Sequence, residues 1–284
     1  MFFISEVSSN HSQSIDRALE FIDQSAAIGC DAVKFQLFKT EMLFSKEVFE
    51  SNPETIKRKQ WELPIEFLPA LSQRCKEKGI QFSCTPFYID AVDELDQYVD
   101  FFKIASYELL WDDLIMACVK TGKPLILSTG MATMDEIRHA VEIANKSGCK
   151  NLTLLHCTSA YPTPYEEANL AAIETLRNEF GCKVGWSDHT VDSGVINRAI
   201  NRWGAEVVEF HLDLEGAGEE FESGHCWLPK KMGHVIKQVR HGLIADGEGV
   251  KRPSVSELPD RSWRTDPSDG LRPMKSIRDT LEKI

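Results

Sequence analysis

The sequence lacks the marks of a secreted, membrane-spanning or nucleic-acid-binding protein. It has no CxxC pair: its eight cysteines, Cys30, Cys75, Cys84, Cys118, Cys149, Cys157, Cys182 and Cys226, are scattered singly, which suits reduced thiols rather than a disulfide framework or a zinc site. No apolar run approaches the roughly 20 residues of a membrane span, and the first residues, MFFISEVSS, lack the basic start and long apolar stretch of a secretory signal. A cytoplasmic location is expected. Positive charge is scarce: 32 Lys and Arg face 44 Asp and Glu, for a net charge of −12, so neither a nucleic acid nor an anionic membrane is an expected partner. An anionic small molecule remains admissible, because a few lysines converging in a cleft make a local positive potential whatever the total. There is also no GxGxxG or Walker-type loop, which removes the commonest sign of a doubly wound nucleotide-binding sheet.

What the sequence does have is alternation. Short β-branched or aromatic runs at 2–7, 32–37, 80–85, 101–105, 124–128, 152–157, 183–187 and 206–212 read as strands. Helical patterns fill the gaps, at roughly 14–28, 65–78, 88–97, 109–121, 132–147, 166–179, 190–203 and 228–243. The first of them sets Ile15, Ala18, Leu19, Ile22 and Ala26 on one face, with Ser14 as its cap and Gly29 as its stop. Eight strand–helix units in a row predict an α/β fold of the (β/α)8 TIM-barrel type, a single domain over 1–244, since such barrels run to about 250 residues. The long connection at 38–63 has no barrel role, and the Pro-, Ser-, Asp- and Arg-rich segment 245–284 reads as an extended tail or arm.

In such barrels chemistry sits at the C-terminal ends of the strands. Polar residues gather there: Glu6, Asn10 and His11; Lys34 and Gln36; Thr85; Lys103, Ser106 and Glu108; Ser128 and Thr129; His156, Thr158 and Tyr161; Ser187, Asp188 and His189; Glu209 and His211. Lys34 and Lys103 interrupt apolar strands, and an inward lysine is costly to desolvate without an anion beside it. That anion is a ligand's phosphate or carboxylate, or an internal glutamate, unless the lysines point outward between the helices. His189 and His211 are one βα unit apart, so they fall on neighbouring strand ends, where two imidazoles can share a divalent ion. Spacing alone does not separate that pair from two ordinary core histidines.

Eight ordered stretches then give a resemblance, from about residue 3 to 230: SEVSSNHSQS, DAVKFQLFK, FSCTPF, FFKIASYEL, KPLILSTGMAT, LLHCTSAYPTPYEEANL, GWSDHT and VVEFHLDL. Together they resemble the catalytic barrel of the sialic acid (N-acetylneuraminate) synthase family, which includes the legionaminic and pseudaminic acid synthases. The resemblance implies a transferase that condenses phosphoenolpyruvate with an N-acylated amino sugar aldehyde, such as N-acetylmannosamine, and water, to give a nine-carbon 2-keto sugar acid and phosphate. It also implies a divalent metal, Mn2+ or Mg2+, on His189 and His211. Phosphoenolpyruvate contacts are implied for Lys34, Thr85, Lys103, Ser106, Ser128, Thr158, Ser159, Tyr161 and Ser187, and acceptor contacts for Asn10, Gln36, Glu108 and Glu222. Glu6 is implied as the proton-transfer residue, with Lys34 and Lys103 as the other catalytic groups.

The chain departs from the family pattern in places. Ser8 and Ser9 replace a Gly and an aliphatic residue, Ala105 and Tyr107 replace two glycines, and GEEFESGHCW stands where the family has a PGPDH-like stretch. His225 is then a match for that motif's histidine, while Glu219, Glu220 and Glu222 compete for the place of its aspartate. The family's C-terminal antifreeze-like domain has no counterpart in this sequence, so a homodimer is left open but not by that domain's swap. Two other readings stand beside this one: a phosphoenolpyruvate aldol synthase acting on a phosphorylated sugar, and a non-catalytic sugar-binding barrel.

Overall fold

The eight β-rich runs become eight parallel strands in a computed structural model that describes residues 1–281. They are β1 (Phe2–Glu6), β2 (Ala32–Leu37), β3 (Gln81–Pro86), β4 (Phe102–Ile104), β5 (Leu125–Ser128), β6 (Leu152–His156), β7 (Lys183–Asp188) and β8 (Val207–Leu212). The hydrogen-bonded order is β3-β2-β1-β8-β7-β6-β5-β4. A parallel bridge between Ser83 and Phe101 joins the two ends, so the sheet closes into a TIM barrel.

Helices follow the strands as expected. The first, Ile15–Ile28, is capped by the Ser14 side chain and ends at Gly29, whose φ of 93° lies in the left-handed region that only glycine adopts freely. The connection at 38–63 is not bare loop: it carries short helices at Thr40–Leu43 and Lys46–Ser51 and a 3-10 segment at Pro53–Trp61. Gln13 Nε2 donates to the carbonyls of Lys59 and Glu62, at 2.8 and 3.1 Å, and so ties this connection to the loop after β1.

Period-2 alternation decides what enters the barrel. Val33, Phe35 and Leu37 of β2, Val184 and Trp186 of β7, and Val208, Phe210 and Leu212 of β8 join the large core between sheet and helices. The alternate residues form a second, smaller cluster, Ile4, Ala32, Phe101, Ile126, Leu155 and Val207, which plugs the inside of the barrel. One step further along the same inward faces come Glu6, Lys34, Lys103, Ser128, Ser187 and Glu209. The strands thus carry an apolar floor with an ionic layer above it.

The chain divides into two compact units, Met1–His241 with the barrel and Gly242–Ile284. Within the second, 3-10 turns at Val255–Glu257 and Arg261–Trp263 precede a helix at Lys275–Leu281. Asp266 accepts from the Ser268 amide and hydroxyl, at 2.9 and 2.6 Å, and from the Lys275 amide at 2.8 Å. These carboxylate-braced turns give local structure to a segment whose composition reads as extended.

Candidate active site

The centre of the site is an internal ion-pair network. Lys34 Nζ contacts the Glu6 carboxylate, lies 3.2 Å from Thr85 Oγ1 and 3.9 Å from Glu209 Oε2. Lys103 Nζ is 3.1 Å from Glu209 Oε1, which also accepts from Ser187 Oγ at 3.2 Å. All four charged residues are buried, none more than 5% exposed. Two lysines facing two glutamates leave the layer neutral as a set, which is the condition for holding charges this deep. Burial would raise the Glu209 carboxyl, but Lys103 and Lys34 outweigh it and hold it down at about 2. Burial likewise pushes Lys34 down to about 7, with Glu209 opposing and Lys103 adding like-charge repulsion. Glu6 Oε1 accepts from the Ser8 amide at 2.7 Å and from Gln36 Nε2 at 3.3 Å, so this carboxylate is aimed by the loop after β1.

Beside Lys103 lies a hydroxyl-lined recess. Ser106 Oγ accepts from the Gly130 amide at 3.0 Å and is 3.3 Å from Cys157 Sγ. Ser128 Oγ and Ser159 Oγ are buried with no hydrogen-bond partner, an unfavourable state that an anionic ligand would relieve. Gly130 keeps the recess open, since a Cβ there would lie 2.3 Å from Ser159 Oγ and 2.9 Å from Ser106 Oγ. Glu108 flanks it. Burial raises its carboxyl to about 7 despite the opposing pull of Lys103, and Glu108 Oε2 has no partner.

On the β7–β8 side imidazoles converge. The ring centres of His189 and His211 are 5.5 Å apart, and Tyr161 stacks on His189 at 4.3 Å. His189 Nδ1 lies 2.9 Å from the Thr158 carbonyl, and His211 Nδ1 lies 3.2 Å from Glu220 Oε2. A ring nitrogen facing an acceptor carries the proton, so Nε2 keeps the lone pair on both rings. Burial lowers both imidazoles, His189 to about 3 with His211 adding to the effect, so both are neutral near pH 7. Neutral, oriented imidazoles beside a carboxylate fit a divalent ion.

The structure thus brings Glu6, Lys34, Gln36, Thr85, Lys103 and Ser187 to one layer, Ser106, Glu108, Ser128 and Ser159 to the recess beside it, and Tyr161, His189 and His211 to the imidazole side. Three expected contacts are placed otherwise. Asn10 spends its amide on the Leu212 carbonyl at 2.9 Å. Thr158 donates its hydroxyl to the Glu167 carbonyl at 3.0 Å and offers its own carbonyl to His189. Glu222 is exposed, whereas Glu220 enters the site, because residues two apart in the short helix Glu219–Glu222 lie on nearly opposite sides. The sequence places Glu209 among the strand-end polar residues and leaves Glu220 and His225 as alternatives in the loop after β8 without giving any of them a role, and it does not single out Gly130 at all. For Glu209 a signal existed: it shares the inward parity of His211 on β8.

The family model described as "NeuB family" matches residues 21–251. An uncharacterized protein of Methanocaldococcus jannaschii is 37% identical over 90% of this chain and 76% of its own length. The N,N'-diacetyllegionaminic acid synthase of Campylobacter jejuni is 34% identical over 89% of this chain and 80% of its own. A crystal structure of the N-acetylneuraminic acid synthetase of Leptospira borgpetersenii, in complex with citrate, superposes with a TM-score of 0.79 at 30% identity, covering 100% of this chain and 93% of that one. The family model, the relatives and the superposed barrel agree, and the chain belongs to the NeuB family.

Proposed function

We propose that this barrel is a nonulosonic acid synthase that condenses phosphoenolpyruvate with the open-chain aldehyde of an N-acylated amino sugar, N-acetylmannosamine or a diacetamido hexose. The observation that supports it most is the meeting, at one barrel mouth, of two buried lysines, a hydroxyl recess with unpartnered Ser128 and Ser159, and a neutral imidazole pair.

The phosphate of phosphoenolpyruvate enters the recess, where Ser106, Ser128 and Ser159 offer hydroxyls, and its carboxylate meets Lys34, Thr85 and Ser187. Lys103 lies between the two and serves both charges. Holding both ends aims the methylene carbon at the acceptor and turns a two-body encounter into a positioned one. That carbon bonds to the aldehyde carbon while water adds to the phosphate-bearing carbon. Phosphate then leaves by C–O cleavage, and the former aldehyde oxygen takes a proton. Glu6, held by Ser8, Gln36 and Lys34, transfers that proton or takes one from the water. Gln36 and Glu108 line the acceptor side. His189 and His211 would hold a divalent metal, Mn2+ or Mg2+, which when bound polarises the aldehyde as a Lewis acid.

The test is phosphate release from phosphoenolpyruvate with Mn2+ across a panel of acceptors, with mass spectrometry for a three-carbon gain. Release with an N-acylated amino sugar, lost with chelator or in His189→Ala, is the expected result. Release only with phosphorylated sugars would replace the acceptor class, and phosphoenolpyruvate binding without turnover on any acceptor would sink the synthase reading.

A further inference from the structure

The proposed mechanism leaves one fully buried carboxylate unused. Asp188 ends β7 beside His189 and is 0% exposed. Ser187 before it points into the barrel, so by strand alternation Asp188 points out of it, into the layer between sheet and helices. From there it does not reach a substrate in the mouth.

The carboxylate is nonetheless saturated with donors. Oδ1 accepts from Trp186 Nε1 at 3.0 Å and from the Thr190 hydroxyl and amide at 2.7 and 3.2 Å. Oδ2 accepts from Trp227 Nε1 at 2.9 Å and from the Val191 amide at 3.2 Å. All five donors are neutral, which suits an acceptor-only carboxylate and makes its burial tolerable without a cation.

These donors belong to two walls of the mouth. Thr190 and Val191 form the turn by which the chain leaves β7. That turn is strained, because Val191 has a φ of 54°, a left-handed conformation that β-branched residues rarely adopt. Asp188 holds it by both amides, and the turn fixes His189, whose carbonyl accepts from the Thr163 amide at 3.0 Å and whose ring carries Tyr161.

Trp227 belongs to the other wall. The two-residue strand Cys226–Trp227 pairs in parallel with the end of β8, and the Asp213 amide donates to the Trp227 carbonyl at 2.9 Å. The segment between them is therefore a loop with joined ends. It carries Glu220, which enters the site, and the buried His225, whose ring centre is 5.0 Å from that of Tyr161.

We propose that Asp188 is a positioning residue that sets the 214–225 loop against the His189 turn and so shapes the acceptor's half of the mouth. The phosphate recess lies on the far side, at Ser106, Ser128 and Ser159, so the loop bears on the sugar rather than on phosphoenolpyruvate. That last step rests on the proposed function; the coupling of the two walls stands without it.

The experiment uses the full chain and three variants that keep shape while changing hydrogen bonding. Asp188→Asn sets an N–H group against fixed N–H donors, Trp227→Phe removes the one donor from the loop side, and Trp186→Phe removes a donor within β7. Hydrogen exchange is followed first, without ligands. Trp227→Phe should speed exchange in 214–225 at least roughly tenfold relative to β1–β6, the scale of a lost hydrogen bond to a charged group. Asp188→Asn should do so in both 214–225 and 189–192, and Trp186→Phe should lower the unfolding midpoint without the effect in 214–225. No change in 214–225 in Trp227→Phe, or an equal rise throughout the barrel, would overturn the coupling and leave Asp188 a purely structural group. Kinetics with Mn2+ come second. In Trp227→Phe the KM for the acceptor sugar should rise at least roughly tenfold, as for other residues that act through a neighbour, with the KM for phosphoenolpyruvate unchanged. Both rising together, or neither, would overturn the assignment of the loop to the acceptor. A wild type that turns over no acceptor would remove the synthase reading, and the exchange result would still decide the coupling. Should Asp188→Asn not fold, Trp227→Phe carries the test.

Discussion

Glu209 shows how one residue ties stability to function. It is the only carboxylate within salt-bridge distance of both Lys34 and Lys103 among the described residues, and it occupies the place where a substrate anion would otherwise balance them. Glu209→Gln keeps the shape and removes the charge, leaving Lys103 buried and unpaired. Breaking one side of a buried pair costs about 3–5 kcal/mol, so thermal unfolding should show a clear loss of stability. Phosphoenolpyruvate should recover more of it in the variant than it adds to the wild type, because the ligand brings the missing negative charge. Equal stabilisation of both proteins would mean that the lysines do not meet the ligand's anions. Gly130 makes the complementary case, where shape and not charge is at stake. A Cβ there meets Ser159 Oγ and Ser106 Oγ at 2.3 and 2.9 Å and Cys157 Sγ at 3.0 Å, and the first two are hydroxyls that line the recess, so making room for a methyl group rearranges it. Gly130→Ala should raise the KM for phosphoenolpyruvate by at least roughly tenfold, with a stability cost of about 1–3 kcal/mol from overpacking. An unchanged KM would place the phosphate elsewhere.

At the scale of elements, what could be read from the sequence is what periodicity controls. All eight strands fall within a residue or two of the apolar runs, because a strand buried on both faces must be nearly all apolar, and the polar exceptions then mark the inward ionic layer. The strand Cys226–Trp227 was not legible, since two residues have no period, and its pairing depends on β8 running past the end of β7 at its His211 end. The same holds for Glu220, whose inward aim is set by where the helix Glu219–Glu222 begins rather than by its charge. Gly185 shows how close the strands come. A Cβ on this inward position of β7 would lie 2.3 Å from the Val207 carbonyl oxygen of β8 and 2.7 Å from Leu155 Cδ2 of β6. The first of these atoms is backbone and cannot rotate aside, so β7 and β8 must separate locally. Gly185→Ala should cost at least about 1–3 kcal/mol, read as a lower unfolding midpoint. Ser187, two residues along the same inward face, should lose its hold on Glu209 and activity with it. A variant as stable and as active as the wild type would show that the β7–β8 approach has slack.

For the whole molecule the charge total and the site point in opposite directions. The chain carries −12, yet its proposed substrate is an anion that must reach two lysines lying beneath the barrel mouth. Composition excluded nucleic acid as an expected partner but did not place the lysines, because a total contains no positions. The field an approaching anion meets at long range is repulsive, whereas the lysines act only once it is inside, where Glu209 and Glu6 already offset them. Salt screens the first effect far more than the second: the Debye length falls from about 30 Å at 0.01 M to about 8 Å at 0.15 M. Encounter with phosphoenolpyruvate should therefore speed up across that range, and kcat/KM for it should rise by about two- to fivefold in a salt whose anion does not bind the recess. Divalent metal affinity should fall over the same range, since the charge that repels the anion attracts the cation. If kcat/KM falls with salt instead, the lysines' field must reach past the mouth and steer the substrate in, and the acidic surface would then be confined to faces away from the C-terminal ends of the strands.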